Sequence, residues 1–140
     1  AQSDLEASLH TNAIGPFLLT QALAPWLAEA GNDARREGAV VANLSSEIGS
    51  IAQRREFRTP SYAIGKAAQN MGTVLLDKAL APRGIRVVAL HPGWVRTDMG
   101  GADAPLAAAE AAAALLRTLD GLGPLDGGRF LDGAGHSLPW

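Results

Sequence analysis

The chain of 140 residues contains no cysteine, so disulfides, thiolate zinc sites and cysteine nucleophiles are all excluded. No segment approaches about 18 uninterrupted apolar residues, and no charged-then-apolar leader opens the chain. We therefore expect no membrane span and a cytoplasmic protein. The net charge of −2 and the pI near 5.9 give no electrostatic reason to expect nucleic acid or an anionic membrane as a partner.

Histidine is scarce as well. His10, His91 and His136 are scattered along the chain and have no carboxylate partner at metal-ligand spacing, so no metal site is predicted. The chain does have enough apolar sequence for a core, because 47% of its residues are hydrophobic. Its length fits one domain of common size.

Apolar residues recur with helical spacing in some segments and form short continuous runs in others. The predicted helices cover about residues 3–30, 61–80 and 105–119, and the predicted strands cover about residues 39–44, 85–90 and 129–131. Ser3 or Asp4 can cap the first helix, Gly31-Asn32-Asp33 ends it, and Arg35-Arg36-Glu37 forms a solvated link. This alternation predicts parallel strands joined by helical crossovers, hence an α/β doubly wound sheet.

The predicted sheet is incomplete. A sheet of this kind normally begins with a strand and a glycine-rich turn that holds a pyrophosphate at a helix N-terminus. This chain opens on a helix, and no Gly-x-Gly-x-x-Gly occurs in it. We therefore expect residues 1–140 to be the carboxyl-terminal part of a single domain, with the amino-terminal nucleotide-binding half absent.

The only tyrosine, Tyr62, stands four residues before Lys66, one of the two lysines in the chain. On a helix, residues four apart share a face, so the phenol and the ammonium would point the same way. A cation at that distance favours the phenolate, which makes the phenol a proton donor that can work near neutral pH. The alternative is a half-buried tyrosine beside a solvated lysine, because Tyr-x-x-x-Lys is common by chance.

Asn12 lies inside the first predicted helix, four residues before Pro16. Because proline has no N–H, the carbonyl of Asn12 loses its i+4 donor and can bind another group, most simply a water. The alternative is a kink that only fits the helix around a core.

Polar and turn-forming residues follow two predicted strands at the edge where α/β sheets place their ligands. Ser45 and Ser46 close the first strand, where a hydroxyl could donate to a substrate carbonyl or merely satisfy backbone groups. No Gly-x-Ser-x-Gly elbow surrounds them, which argues against a serine hydrolase. Pro92-Gly93 follows the second strand, and it either lets the backbone approach a flat ring or simply ends the strand. Thr97 either hydrogen-bonds an amide of a ligand or caps the next turn.

Taken together, four segments resemble the short-chain dehydrogenase/reductase family, in its order and at close to its spacing. They are Asn12, Asn43-Leu44-Ser45-Ser46, Tyr62-Ala63-Ile64-Gly65-Lys66 and His91-Pro92-Gly93-Trp94-Val95-Arg96-Thr97. The last segment and the ending Gly-Arg-Phe-Leu-Asp-Gly resemble the subgroup of C-factor-like and sniffer-like carbonyl reductases. The resemblance implies a Rossmann-like fold and hydride transfer between NADP or NAD and a small carbonyl or alcohol substrate.

The resemblance also implies a role for each matched residue. Tyr62 would be the general acid, and Lys66 would make its phenol more acidic and hold the nicotinamide ribose. Ser46, rather than Ser45, would hydrogen-bond the substrate carbonyl, and the carbonyl of Asn12 would hold a water that links Lys66 to solvent. The positions implied for the nicotinamide and its carboxamide are Pro92, Gly93, Val95 and Thr97.

The missing half leaves a second hypothesis open, in which the chain is a truncated, non-catalytic fragment or a dimerisation module. The first strand would then expose an unpaired apolar edge. The resemblance implies that the helices over 3–30 and 61–80 pack against a second subunit, so we expect a homodimer when the protein is complete. Gly65 and Gly72 could let that subunit approach, or could serve packing within one chain.

The expected substrate pocket is roofed by residues 47–60 and 98–105. Trp94 and Met99 would supply apolar contact there, which favours a modest neutral aldehyde or ketone. Inward-facing arginines would favour an acidic substrate instead, but we expect Arg54, Arg55 and Arg58 to be solvated.

Overall fold

The computed structural model of the protein describes residues 1–32 and 37–140, so the predicted helix end at Asp33 and the link at Arg35-Arg36 lie outside the described residues. The helices are α1 (Gln2–Leu9), α2 (Gly15–Gly31), α3 (Pro60–Leu80) and α4 (Ala108–Asp120), with a π-helical turn at His10–Ile14 and 3-10 turns at Glu47–Gly49 and Ala81–Arg83. The strands are β1 (Ala39–Leu44), β2 (Ile85–His91), β3 (Val95–Arg96), β4 (Leu106–Ala107) and β5 (Phe130–Asp132). Every predicted helix and strand is present close to its predicted bounds.

Three parallel strands form the main sheet in the order β1-β2-β5. β2 is the middle strand, and all of its residues except His91 are buried, which explains its nearly continuous apolar sequence. The helices α2 and α3 cover one face of the sheet and α4 covers the other. The predicted α/β doubly wound parallel sheet is therefore confirmed.

Alternate side chains of β2 build two hydrophobic layers, as the period of a strand requires. Ile85 and Val87 pack with buried side chains of α2 and α3. Val88 and Leu90 pack with the apolar side of α4 and the loop that follows it. No helix among residues 1–32 and 37–140 combines the length and the apolarity needed to cross a bilayer.

The first helical segment is interrupted by the π-helical turn at His10–Ile14, in which the N–H of Gly15 donates to the carbonyl of His10. The sequence explains this turn, because the ring of Pro16 removes an N–H and would clash with the carbonyl of Asn12. The wider π turn accommodates that clash. A kink at this point was one of the two alternatives that the sequence left open, and the π-helical turn is the irregularity that the structure shows there.

Two boundaries differ from the sequence-based expectation. The first helix begins at Gln2 with Ala1 as its N-cap, so Ser3 and Asp4 lie in its first turn, where Oδ2 of Asp4 accepts from the backbone nitrogen of Ala1 at 2.9 Å. The helix α4 begins at Ala108, later than predicted, because the two residues before it pair with Val95–Arg96 as short parallel strands. Two-residue strands carry no alternating pattern that a sequence could reveal.

Two glycines of α3 let the first helical segment pack closely on it. A Cβ at Gly65 would overlap Oγ of Ser8 in α1 and lie 3.1 Å from the Ser8 carbonyl oxygen. A Cβ at Gly72 would lie 3.3 Å from Cδ2 of Phe17 in α2. Both glycines therefore serve packing within the chain, which is one of the two alternatives that the sequence left open.

Candidate active site

Tyr62 and Lys66 lie on one face of α3, as their spacing predicted. Nζ of Lys66 lies 5.7 Å from the centroid of the Tyr62 ring. Lys66 is only 9% exposed, so the alternative of a solvated lysine is wrong. The ammonium is therefore held against the aromatic ring inside the fold.

Two acceptors hold the ammonium of Lys66 at the end of the sheet. Nζ donates to the carbonyl of Leu44, the last residue of β1, at 2.8 Å, and to Oε1 of Gln69 at 3.1 Å. Burial lowers the pKa of Lys66 from its ordinary value, because desolvation disfavours the charged form. An ammonium has three N–H donors, so one remains for another partner. The sequence analysis missed Gln69, although its position three residues after Lys66 places it on the same helix face.

The two serines after β1 have different partners. Oγ of Ser45 donates to Oδ1 of the buried Asn70 in α3 at 2.6 Å, which commits the Ser45 proton. Oγ of Ser46 accepts the N–H of Ile48 at 3.2 Å and so caps the next 3-10 turn. The hydroxyl proton of Ser46 is then available to an external acceptor. This difference favours Ser46 over Ser45 as the hydroxyl that binds a carbonyl.

The turn that follows Ser46 lies directly on α3. A Cβ at Gly49 would lie 2.8 Å from Cβ of Lys66 and 2.9 Å from its backbone carbon, so only glycine fits without a shift. This contact fixes the position of Ser46 relative to Lys66. The sequence analysis missed Gly49, because an isolated glycine in a polar loop does not reveal which helix it will approach.

Asn12 lies in the π-helical turn, against the start of α3. Its Nδ2 donates to the carbonyl of Ser8 at 3.1 Å and to Oγ of Ser8 at 3.2 Å. Oγ of Ser8 in turn donates to the carbonyl of Ser61, the residue before Tyr62, at 2.7 Å. The side chain of Asn12 therefore helps to fix α1 on α3. The sequence analysis missed Ser8, although its position four residues before Asn12 was an available signal.

The predicted nicotinamide segment leaves β2 through a turn at Pro92-Gly93. Gly93 has φ +89°, and a Cβ there would lie 2.8 Å from Cδ1 of Leu106, so the position requires glycine. Val95 follows in β3. Thr97 is exposed, and its Oγ1 accepts the N–H of Gly100 at 3.1 Å. Thr97 therefore caps its own turn, and its contact with a cofactor stays a prediction.

A cleft of about 690 Å³ opens beside Ser46, Gly93 and Trp94. Trp94 lines it as predicted, and its indole N–H donates to the carbonyl of Gly100 at 2.7 Å. Met99 is 86% exposed and does not line the cleft. Apart from His91, the rest of the wall comes from the segment between Ser46 and α3. It includes Arg54, Arg55 and Arg58, so these arginines face the cleft as well as solvent.

Thr59, which also lines the cleft, precedes α3 with a φ of +45°. A β-branched residue in the left-handed region is strained, and such strain often collects at functional sites. Thr59 stands three residues before Tyr62. Nothing in the sequence pattern revealed this conformation.

His91 stands between this cleft and a second cavity of about 900 Å³ on the α4 side of the sheet edge. Its Nδ1 accepts the N–H of Glu47 at 3.3 Å, and its Nε2 lies 3.8 Å from Oε2 of Glu47. Burial lowers the pKa of His91, and the carboxylates of Glu47 and Asp132 oppose that shift. His91 and Glu47 meet because the carboxyl ends of β1 and β2 are neighbours in the sheet.

His91 therefore has a carboxylate neighbour that comes from another segment of the chain. His136 has one as well, since its Nδ1 lies 3.3 Å from Oδ2 of Asp132. Neither pair extends into a metal-ligand set. Within the part of the chain that the structure describes, no three His, Cys, Asp or Glu side chains cluster in a way that could hold a metal ion.

Comparison with known proteins agrees with this arrangement. The family model described as short chain dehydrogenase matches residues 1–105. C-signal of Myxococcus xanthus is 40% identical over 140 residues, which cover 99% of this chain and 80% of that protein. The structure of carbonyl reductase Sniffer of D. melanogaster matches all of this chain with a TM-score of 0.96 and 34% identity.

The NADPH-bound carbonyl reductase from chicken fatty liver also matches the whole chain, with a TM-score of 0.90 and 35% identity. This chain spans 58% of the length of each of these two solved chains. By its match to the family model and its identity to C-signal, the chain belongs to the short-chain dehydrogenase family.

Proposed function

We propose that residues 1–140 are the carboxyl-terminal, catalytic part of a single Rossmann-like domain in an NAD(P)-dependent carbonyl reductase. The observation that carries the proposal is the buried Lys66 ammonium, which bonds the carbonyl of Leu44 and lies over the ring of Tyr62. Ser46, two residues after Leu44, offers a hydroxyl at the same edge of the sheet.

The proposed reaction uses three side chains of this chain. The hydroxyl of Ser46 donates a hydrogen bond to the substrate carbonyl oxygen and fixes its position. Tyr62 gives its phenolic proton to that oxygen as negative charge develops there. The ammonium of Lys66 stabilises the phenolate that remains on Tyr62. The nicotinamide, when bound, supplies the hydride that the carbonyl carbon accepts.

The residues present fit the nicotinamide end of NADP or NAD. The third N–H donor of Lys66 suits a ribose hydroxyl. Pro92 and Gly93 form the turn at the end of β2 and would place backbone beside a flat ring, while Cδ1 of Leu106 fills the space where a Cβ of Gly93 would lie. Val95 and Thr97 would hold the carboxamide. The pyrophosphate end has no counterpart in this sequence, because no Gly-x-Gly-x-x-Gly occurs in it.

Asn12 would complete a path that returns a proton to the site. Its carbonyl has no N–H at Pro16 to accept, and its side chain bonds to Ser8 near the start of α3. A water bound by that carbonyl could receive a hydrogen bond from Lys66. In this role Asn12 positions the water and does not touch the substrate.

The test uses a completed enzyme, defined as residues 1–140 joined behind a nucleotide-binding half of the same fold. We expect this enzyme to oxidise NADPH or NADH in the presence of a simple aldehyde. Replacing one transition-state donor by Ser46→Ala should lower kcat by roughly 10²–10³-fold. The matched variant Ser45→Ala loses only the bond to Asn70, so it should lower stability more than kcat. Equal activity of the two variants would contradict the role of Ser46.

The alternative function is a non-catalytic fragment. The strand β1 is an edge among the described strands, and Leu44 at its end is 54% exposed. An open edge of this kind favours pairing with another chain. We expect the isolated 140-residue chain to bind NAD(P)H poorly. Micromolar binding of NADPH to the isolated chain in calorimetry would overturn that expectation.

We also propose a cytoplasmic homodimer for the complete protein. The glycines of α3 no longer support this, because they pack within the chain. Large apolar side chains remain exposed on α2 and α3, and they are Leu18, Leu19, Leu23, Trp26, Ile64, Met71 and Leu75. Exposed apolar side chains of this size support an interface, because large apolar patches on a surface often mark one. Light scattering that finds a monomer at high concentration would refute the dimer.

A further inference from the structure

The wall of the cleft beside Ser46 is rich in arginine, since Arg54, Arg55 and Arg58 all line it. Arg54 is fixed, because its Nη2 donates to the carbonyl of Ile48, two residues after Ser46, at 2.6 Å. Nη1 of Arg55 donates to backbone carbonyls of its own turn at 3.1 and 3.4 Å. A guanidinium has five N–H donors, so these bonds leave most of the donors available to a ligand.

Carboxylates of the same wall do not neutralise these arginines by direct pairing. Glu47 and Glu56 also line the cleft, so three formal positive charges face two negative ones. Within residues 1–32 and 37–140, no carboxylate oxygen lies within 4.0 Å of a guanidinium nitrogen of Arg54, Arg55 or Arg58. Glu47 lies beside His91 instead.

The size of the cleft suits a small molecule. Its volume of about 690 Å³ lies within the usual range of ligand sites, roughly 300–1,000 Å³. The ring of Trp94, which is 58% exposed, offers apolar contact next to Ser46. Arg55 and Arg58 are exposed at the wall. A molecule bound in the cleft can therefore reach Ser46 with one group and a guanidinium with another.

We infer that the cleft selects aldehydes or ketones that also carry a carboxylate, with the carbonyl at Ser46 and the carboxylate on Arg55 and Arg58. Arginine binds a carboxylate through two parallel N–H···O bonds, which fix orientation as well as adding affinity. This inference rests on the proposed carbonyl reductase function. It reverses the preference for neutral substrates that the apolar residues of the sequence favoured.

The experiment compares para-formylbenzoate with its methyl ester as substrates of the completed enzyme. The two aldehydes differ in charge but little in size. We expect kcat/KM to favour the carboxylate by roughly tenfold to a hundredfold, the range of a hydrogen bond to a charged group, with most of the effect in KM. The double variant Arg55→Gln/Arg58→Gln should bring the ratio close to one. The control Arg83→Gln removes the same charge at the opposite end of β2 and should keep the ratio.

The salt dependence of the substrate preference is a second readout, and a purely structural role of the arginines would not produce it. Because the arginines are exposed, the preference for the carboxylate should shrink as the ionic strength rises from about 0.01 M to about 1 M. If the enzyme reduces both aldehydes with equal kcat/KM, or if the double variant keeps the full preference, the inference fails while the carbonyl reductase function stands. If neither aldehyde is reduced, both proposals fail together.

Discussion

The close packing of α1 on α3 at Gly65 predicts that a larger residue there destabilises the protein. Gly72 on the same helix provides a matched control. In Gly65→Ala the new methyl group would overlap Oγ of Ser8 and lie 3.1 Å from the backbone oxygen of Ser8. In Gly72→Ala the methyl group would meet only the edge of the Phe17 ring, at 3.3 Å. A ring edge can shift by a few tenths of an ångström, whereas a helix backbone cannot shift without moving α1.

The expected magnitudes follow from these contacts. Alanine instead of glycine in a helix interior gains about 1 kcal/mol. At Gly65 this gain is outweighed by overpacking of about 1–3 kcal/mol and by loss of the Ser8–Ser61 hydrogen bond, worth about 1 kcal/mol. We therefore expect Gly65→Ala to destabilise by about 1–3 kcal/mol. Gly72→Ala should be neutral or stabilise by up to about 1 kcal/mol.

The assay is urea unfolding of the completed enzyme and of both variants, with the slope m compared to exclude a change in the unfolded state. The variant Ser8→Ala removes the oxygen that the methyl group would overlap. Combining it with Gly65→Ala should recover part of the lost free energy of unfolding, as coupled neighbours do. If Gly65→Ala and Gly72→Ala have equal free energies of unfolding, α1 does not approach α3 as closely as the structure shows.

Two further predictions concern single contacts. Oδ1 of Asp77 accepts the N–H of the buried Val87 at 2.9 Å. Asp77→Ala should therefore lower the free energy of unfolding by about 1–3 kcal/mol. Asp77→Asn keeps an acceptor and should lower it less. Equal losses in urea titrations would contradict this role. Burial lowers the pKa of His91, so the folded state favours the neutral imidazole. The contribution of His91 to the free energy of unfolding is therefore fully present above about pH 6.5, and it is lost as the pH falls through the folded-state pKa. His91→Gln should flatten that part of the pH profile of urea unfolding, and an unchanged profile would contradict the reasoning.

The sequence predicted the features that depend on local spacing. The shared face of Tyr62 and Lys66 follows from the helical period, and the π-helical turn at Asn12 follows from the missing N–H of Pro16. The strands β1 and β2 were predicted because buried parallel strands are short, apolar and rich in β-branched residues. Each of these features is encoded within a few residues of the chain.

The features that the sequence did not predict depend on contacts between distant segments. Gly49 requires glycine only because its turn meets α3, and the pairing of His91 with Glu47 arises because two strand ends are neighbours. The positive φ of Thr59 and the two-residue strand at Val95–Arg96 have no periodic signal. The arginines of the cleft could be seen in the sequence, but their position beside Ser46 required the fold.

The proposed function depends most directly on Tyr62, which we propose gives the proton in an NAD(P)H-dependent carbonyl reduction. The most direct test is the turnover of a saturating aldehyde by the completed enzyme carrying Tyr62→Phe, which keeps the ring over Lys66 and removes only the hydroxyl. We expect kcat to fall by roughly 10²–10⁴-fold while NADPH still binds. Near-normal turnover by this variant would show that Tyr62 does not give the proton.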